Sequence, residues 1–523
     1  MCGIFALFGP EDIEQIRPYF NTGSKRGPET SSLNQIDTNI ILGFHRLAIN
    51  GLNSGADQPI EYKNYILICN GEIFNYRELI QEYNFDMDTD SDCEVIIQLY
   101  ERFGIDCLNK LDGEFSFVLY DRDKKEVFVA RDPFGVRPLY FSVNEKTICF
   151  ASDISTLKFN FMDNVRHFKP GHYSLFKMNE RNMEDMIQKP YFNIPIVETS
   201  RSKVYQALCD AVRKRVITTE RPIACLLSGG LDSSLIAALA NRYSLEYKHT
   251  PIETYSIGLD DSEDLKYSSK VAEHIQSKHT QIVCTVKDFM DSIPKVIEDV
   301  ETYDTTTVRA SVGNWNVGKY IKEHSEAKVI LNGDGADEVM GGYLYFHACP
   351  LDTEFDAECR RLLSEIHCFD VLRSDKSISS HGLEPRTPYL DKDFVSAYLS
   401  LPCEERFHPG LHKPEKYVIR DIINEFDNSL LPQEVLFRKK EAFSDGVSGL
   451  KKSWYEIIQE NIQEMNLPKQ LYIHINPETK EQQYYRYIFD KIYPNCSRII
   501  PHYWMPKYVK ATDASARTLT LYK

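Results

Sequence analysis

The sequence predicts two folds in tandem: an α+β sandwich over roughly the first 190 residues, then an α/β domain built on a parallel sheet. Three observations carry this. Short apolar, aromatic and β-branched runs fill the N-terminal part, punctuated by Gly, Asn and Asp. From Val204 onward strand and helix patterns alternate, as βαβ units require. Between about Tyr173 and Val204 the periodicity breaks: residues 178–190 are polar and charged, and Pro190 and Pro195 interrupt. The expected boundaries are therefore 2–190, a linker over 191–203, and 204–523.

In order, Ile40–Phe44, Tyr65–Asn70, Phe115–Tyr120 and Val127–Arg131 read as strands. Tyr76–Glu82 and Asp92–Phe103 read as helices. The second places Val95, Ile96, Leu99, Tyr100 and Phe103 on one face, and Gly104 stops it. In the second half Val204–Val216 reads as a helix, Ile223–Leu227 as a strand and Ser233–Tyr243 as a helix. Glu253–Leu259, Gln281–Val286 and Lys328–Leu331 follow as strands, with helices over Leu265–Gln276 and up to about Val300. After about residue 345 the pattern is mostly helical.

Composition bounds the function. The 523 residues suffice for two to four domains, and 42% hydrophobic content is that of a folded globular chain. A net charge of −16 argues against a broad nucleic-acid surface. No apolar run approaches the roughly 20 residues of a membrane span, and the N-terminus lacks a secretory pattern. The thirteen cysteines show no CxxC pair and no zinc spacing, so a reducing cytoplasmic setting is expected.

The first chemical candidate is Cys2. Removal of Met1 by an aminopeptidase, which accepts a small second residue, would leave a thiol and an α-amine on one residue. An α-amine titrates near ~7.7–8.0 and serves as base for the thiol. Four polar islands accompany it: Arg26-Gly27-Pro28-Glu29, His45-Arg46-Leu47-Ala48-Ile49, Asn70-Gly71-Glu72-Ile73-Phe74-Asn75 and Ser91-Asp92-Cys93-Glu94. Each has an ordinary reading. Asn70-Gly71 suits a type I′ turn, Ser91 or Asp92 a helix N-cap, and Arg46 a surface ion pair.

Together, MCGI, RGPE, HRLAI, NGEIFN and SDCE resemble, in order, the glutaminase domain of class II glutamine amidotransferases. The resemblance implies a four-layer αββα N-terminal-nucleophile fold with Cys2 as nucleophile. It implies glutamine binding by Arg46, Leu47, Ala48, Ile49, Asn50, Asn70, Gly71, Glu72 and Asp92. Arg46 would hold the α-carboxylate bidentately and Asp92 the α-ammonium, with Glu72 assisting. The Asn70 amide and Gly71 N–H would form the oxyanion hole. Small departures are Lys25 for the usual His, Asp90 for Gly, and Asn50-Gly51 for Val-Asp.

The centre of the second half is Ser228-Gly229-Gly230-Leu231-Asp232-Ser233-Ser234, after a strand and opening a helix. Its glycines leave N–H groups free to approach phosphate, and the helix N-terminus adds positive charge. An acid inside the loop makes sense if magnesium bridges it to phosphate. Further islands are Glu301–Arg309, Asn332–Glu338, Glu384–Asp391 and Arg438–Gly446; each alone also reads as a solvated face. Leu226 and Ile257, on neighbouring strands, are expected to flank a nucleotide base.

SGGLDSS resembles the PP-loop of ATP pyrophosphatases. With YDTTTVRAS, NGDGADEVMGGYLYF, PRTPYLD and KKEAFSDG, the order resembles the glutamine-hydrolysing asparagine synthetase family, the bacterial B type and its eukaryotic relatives. That resemblance implies an α/β parallel-sheet PP-loop (ATP pyrophosphatase) domain using ATP and Mg²⁺. ATP would be bound by Leu226, Ser228, Gly229, Gly230, Asp232, Ser233, Ile257, Asn332, Gly333 and Lys440. Thr306, Thr307 and Arg309 would lie at the aspartate side, and Asp232 and Asp391 would hold the metal. Glutamine, aspartate and ATP are the implied small-molecule substrates, and a homodimer is common in the family. Asp334 stands where the family commonly has a catalytic Glu, one methylene longer; activity is expected to persist, with slower adenylation. A related amidotransferase or β-lactam-synthetase-like enzyme acting on another carboxylate is the alternative, and a binding module without activity a third; intact motifs and Cys2 favour the first.

Overall fold

The computed structural model describes residues 1–159, 165–177, 186–410, 413–438, 447–448, 452–468 and 470–515. The N-terminal part contains strands β1 (Gly3–Phe8), β2 (Thr30–Asp37), β3 (Ile40–Arg46), β4 (Ile60–Tyr62), β5 (Tyr65–Ile73) and β6 (Gly113–Asp121). It continues with β7 (Glu126–Arg131), β8 (Tyr140–Val143), β9 (Ile148–Ala151), β10 (Arg166–His167), β11 (His172–Lys177) and β12 (Lys189–Pro190). These form two antiparallel sheets, ordered β10-β8-β9-β1-β3-β2 and β12-β11-β7-β6-β5-β4.

Side-chain alternation explains the layering. Ile4, Ala6 and Phe8 of β1 face inward and meet Ile66, Ile68, Val118 and Val129 of the other sheet. Phe5 and Leu7 point the opposite way, onto Ile16 and Phe20 of α1 (Ile13–Phe20). Leu67, Cys69, Phe117 and Leu119 face outward under α2 (Tyr76–Tyr83) and α3 (Val95–Phe103). Helix, sheet, sheet and helix thus make the four-layer sandwich.

The second half carries α4 (Arg201–Ile217), β13 (Ile223–Leu226), α5 (Leu231–Lys248), β14 (Glu253–Gly258), α6 (Glu263–Ile275) and β15 (Lys278–Val283). Then come α7 (Val286–Val300), α8 (Thr305–His324), β16 (Val329–Leu331) and β17 (Glu384–Arg386). The sheet is parallel, in the order β15-β14-β13-β16-β17. Ile223 and Cys225 face α4 and α5, while Ala224 and Ile330 face α7 and α8. Both faces of the central strands are covered, so β13 and β16 are apolar throughout, whereas the edge strand β15 carries Lys278, His279 and Gln281. Strand order reverses between β13 and β16, and the carboxyl ends there form the crevice where such sheets bind ligands.

Several boundaries differ from expectation for local reasons. Strand β5 runs on through Asn70 and Gly71, with Gly71 paired to Phe115, so no turn forms there. Helix α4 starts at Arg201 because the Ser200 hydroxyl accepts from the Lys203 N–H. The strand expected at Gln281–Val286 ends at Val283, because Thr285 and Asp288 build a capping box that starts α7.

Buried ion pairs join the two halves. Arg26 contacts Asp375 at 2.8 Å, Lys376 contacts Asp153 at 2.8 Å, Arg215 contacts Glu114 at 2.9 Å, and Arg137 contacts Asp375 at 3.4 Å. Breaking such pairs is costly because the remaining charge is stranded.

Candidate active sites

Cys2 opens a small pocket lined also by Arg46, Leu47, Ala48, Ile49, Asn50, Gly71, Glu72 and Asp92. Nine of the residues expected to act on glutamine therefore share one pocket. Arg46 ends β3 and is fixed by the Asn53 carbonyl at 2.8 Å, the Asp57 carboxylate at 2.6 Å and the Gly51 carbonyl. Asn70 projects from β5 toward β1, its amide donating to the Ser152 hydroxyl at 3.5 Å. That hydroxyl also accepts from the Ile4 N–H at 3.0 Å, so Asn70 and the Cys2 strand share an anchor.

The pocket is short of positive charge. Glu72 accepts from Asn50 at 2.6 Å and lies 3.3 Å from Arg386. Burial, and then Asp92 and Glu384, push Glu72 well above the usual carboxylate range. Asp92 accepts from the Ile73 N–H at 2.7 Å, yet burial raises it to about 6. Burial also pushes the Cys2 thiol up to about 12, so a thiolate does not stand ready and a base must take its proton as the thiol attacks. The Met1 amine is buried against the Leu383 carbonyl at 3.0 Å, and burial lowers it to about 5.

The second cavity, the roomier of the two, sits at the switch point of the parallel sheet. Leu226, Ser228, Gly230, Asp232, Ser233, Ile257, Asn332, Gly333 and Asp334 line it, and Gly229 does not. The loop 228–230 leads into α5. Gly229 has φ +75°, and a Cβ there would collide with the Tyr267–Ser268 backbone. A Cβ on Gly333 would approach the Ser233 nitrogen to 2.8 Å, so the two loops pack backbone to backbone.

Sequence reasoning pointed to Arg438 but missed the other cations of this cavity. Lys416 contacts Asp232 and Asp337, each at 2.5 Å. Arg373 holds Asp334 at 2.7 Å and also contacts Asp370. Neither lies in a motif; the pairing arises only when distant helices meet. Burial and Asp370 raise Asp334 above the usual range, against Arg373. Among the described lining residues, seven carboxylates face four cations, Arg373, Lys416, Arg420 and Arg438. A bare polyphosphate is disfavoured there, and its metal complex is not. Asp232 Oδ1 and Asp334 Oδ2 are buried without a hydrogen-bond partner among the described residues. Those oxygens suit a hard cation such as magnesium, although no preformed cluster of three metal-binding side chains occurs among the described residues.

Three expectations are corrected. Asp391 does not join Asp232. Its carboxylate is held by Lys214 at 2.5 Å and Arg215 at 2.9 Å and caps the helix Lys392–Leu399, and it does not line the cavity. Arg309 is not open to a substrate: its guanidinium contacts Glu481 at 2.6 Å and Asp513 at 2.7 Å, and it is 3% exposed. Thr307 bonds to Asp304 as part of the α8 cap, and neither it nor Thr306 lines the cavity. Lys440 lies outside the described residues.

A family described as a glutamine amidotransferase domain matches residues 1–179, and the asparagine synthase family matches residues 203–358 and 348–507. The asparagine synthetase (glutamine-hydrolyzing) of Gallus gallus is 40% identical over 566 aligned positions, covering 100% of this chain and 99% of the relative. That of Homo sapiens is 39% identical over 563 positions, with the same coverage of both chains. Similarity of this extent, along the whole length, means that the chain belongs to the glutamine-hydrolysing asparagine synthetase family.

Proposed function

We propose that the protein makes L-asparagine from L-aspartate and ATP with ammonia released from glutamine at Cys2. The observation that carries this is the Cys2 pocket, where one guanidinium and two buried carboxylates frame space for an amino-acid zwitterion beside a thiol. With Met1 removed, the freed α-amine takes the thiol proton while Cys2 Sγ attacks the carboxamide carbon. The Asn70 amide and Gly71 N–H stabilise the oxyanion; Arg46 and Asp92, with Glu72, orient the substrate. Ammonia leaves, and water releases glutamate from the thioester.

In the second cavity the aspartate β-carboxylate attacks the α-phosphorus of ATP, giving β-aspartyl-AMP and pyrophosphate. The loop 228–233 and Asn332-Gly333 hold the nucleotide, Leu226 and Ile257 flank its base, and Lys416 and Lys440 offer cations to the phosphates. Asp334 stands on the adenylation side. Ammonia, passing inside the protein, attacks the acyl carbon, and asparagine and AMP leave. Asp232 would hold magnesium, which neutralises phosphate charge when bound. Thirteen free thiols support a reducing, cytoplasmic setting. A homodimer is part of the same proposal.

The test is to supply glutamine, aspartate and MgATP and follow AMP, glutamate and asparagine. AMP and asparagine should form in equal amounts. Cys2→Ala should lower the glutamine-dependent rate by at least about 10³-fold while free ammonia still supports asparagine formation. AMP without asparagine, or loss of both activities in Cys2→Ala, would refute the scheme.

A further inference from the structure

The Cys2 pocket is not finished by its own domain. The Glu220 N–H donates to the Ile49 carbonyl at 3.1 Å, the Gly51 N–H donates to the Glu220 carboxylate at 2.7 Å, and Arg221 donates to the Ala48 carbonyl at 2.7 Å. Asn50 donates to the Thr218 carbonyl at 3.2 Å. Residues 218–221 run directly into β13 and so into the phosphate loop at Ser228. The rim of one pocket is therefore held by the segment that leads into the other.

Arg386 joins the two from the opposite side. It is fully buried, at 0% exposure, and its guanidinium lies 3.3 Å from Glu72 in the Cys2 pocket. It also donates to Glu384 at 2.8 Å, to the Arg215 carbonyl at 2.7 Å and to the Thr218 carbonyl at 3.3 Å. Its own carbonyl accepts from the Asn332 N–H at 3.2 Å, the first residue of the nucleotide loop. Asn332 in turn accepts from the Asp334 N–H at 3.2 Å and donates to the Ser374 hydroxyl at 2.7 Å. One residue thus touches the wall of each pocket, side chain on one and backbone on the other.

We infer that Arg386 is the positioning residue through which occupancy of the Cys2 pocket is felt at the nucleotide loop. The inference rests on the reading that this pocket takes glutamine. An ammonium arriving at Asp92 and Glu72 competes with Arg386 for the Glu72 carboxylate. The guanidinium has other acceptors in place, Glu384 and the two carbonyls, so it shifts between partners without being stranded. Because its carbonyl is bonded to Asn332, a shift of β17 moves the loop that carries Asp334. Linkage then requires that nucleotide and glutamine alter each other's affinity by one common factor.

The test uses Cys2→Ala protein, which binds glutamine without consuming it. Glutamine affinity is measured by calorimetry with and without a non-hydrolysable ATP analogue and magnesium. The ratio of the two dissociation constants should be about 5-fold or more when Arg386 is present. It should fall to near 1 in Arg386→Lys, because a lysine offers a point charge and cannot span Glu72, Glu384 and the carbonyls together. A role in folding alone would change both constants equally and leave the ratio. An unchanged ratio in Arg386→Lys, or a ratio of 1 with Arg386 present, overturns the inference. Should Arg386→Lys fail to fold, Glu72→Gln in the same background must also reduce the ratio to near 1, and retention of the ratio overturns it. Absence of any glutamine binding to the Cys2→Ala protein would instead remove the reading of the pocket beneath it.

Discussion

The two pockets balance their carboxylates in opposite ways. In the Cys2 pocket, Glu72 and Asp92 are pushed upward by burial, and Arg386 stands 3.3 Å from Glu72 as a shared and stretched partner. In the nucleotide cavity, Asp232 and Asp337 divide Lys416 between them at 2.5 Å, and Asp334 has Arg373 at 2.7 Å. The contrast matches what each site is proposed to receive. A zwitterion brings its own ammonium to the first and completes its charge. A polyphosphate brings negative charge to the second, where cations already stand among the acids. One site is held incomplete until its ligand enters; the other must release internal ion pairs to admit it.

The sharpest test of that contrast is Lys416→Met. If the lysine is a cation kept for phosphate, its loss removes a charge-assisted hydrogen bond from the nucleotide site alone. The KM for ATP in the ammonia-dependent reaction should rise about 10–100-fold, and the KM for glutamine in glutamine hydrolysis without nucleotide should stay within about twofold. A KM for ATP within twofold of the native value would mean that Lys416 only separates Asp232 from Asp337.

A smaller effect tests the other pocket. Asp92 must be ionised to hold an ammonium, and burial has raised it to about 6. Above that pH it is charged and glutamine binds; as pH falls through 6 it takes up a proton and the attraction is lost. Between pH 7 and pH 5 the KM for glutamine should rise by about tenfold, following the ionised fraction, while the KM for ATP need not follow. Asp92→Asn should bind glutamine weakly at both pH values and abolish the slope. A flat profile in the native protein would show that Asp92 does not meet the ammonium.

What was legible in the sequence follows from how local each signal is. Strands β3, β5, β6, β7 and β13 to β16, the Cys2 motifs and the loop 228–234 announce themselves through periodicity or through contiguous residues whose chemistry needs one another. Charged side chains do not. Arg309 reads as a substrate ligand because it sits among threonines, yet Glu481 and Asp513, which claim it, are 172 and 204 residues away in sequence. Asp391 reads as a metal acid, and Arg215, 176 residues away, takes its charge. Lys416 and Arg373 went unseen for the converse reason: each becomes a pocket cation only where Asp232, Asp337 and Asp334 are carried to it by other elements. Even β1, which directly follows Cys2, was overshadowed by the chemistry of that cysteine.

Arg309 allows that lesson to be tested, with the smallest expected effect on turnover. The buried guanidinium fastens α8 to the C-terminal segment through Glu481 and Asp513, and Arg309 is absent from the cavity lining. Arg309→Met keeps much of the apolar stem but leaves two buried carboxylates without their partner. Breaking a buried ionic cluster from one side costs about 3–5 kcal/mol, so thermal or urea unfolding should shift clearly to lower temperature or concentration. The KM for aspartate, measured well below the unfolding transition, should change by less than about twofold. If instead stability held and that KM rose tenfold or more, the ion pairs would have to open in the working enzyme, and Arg309 would return to the aspartate side where its motif first suggested it.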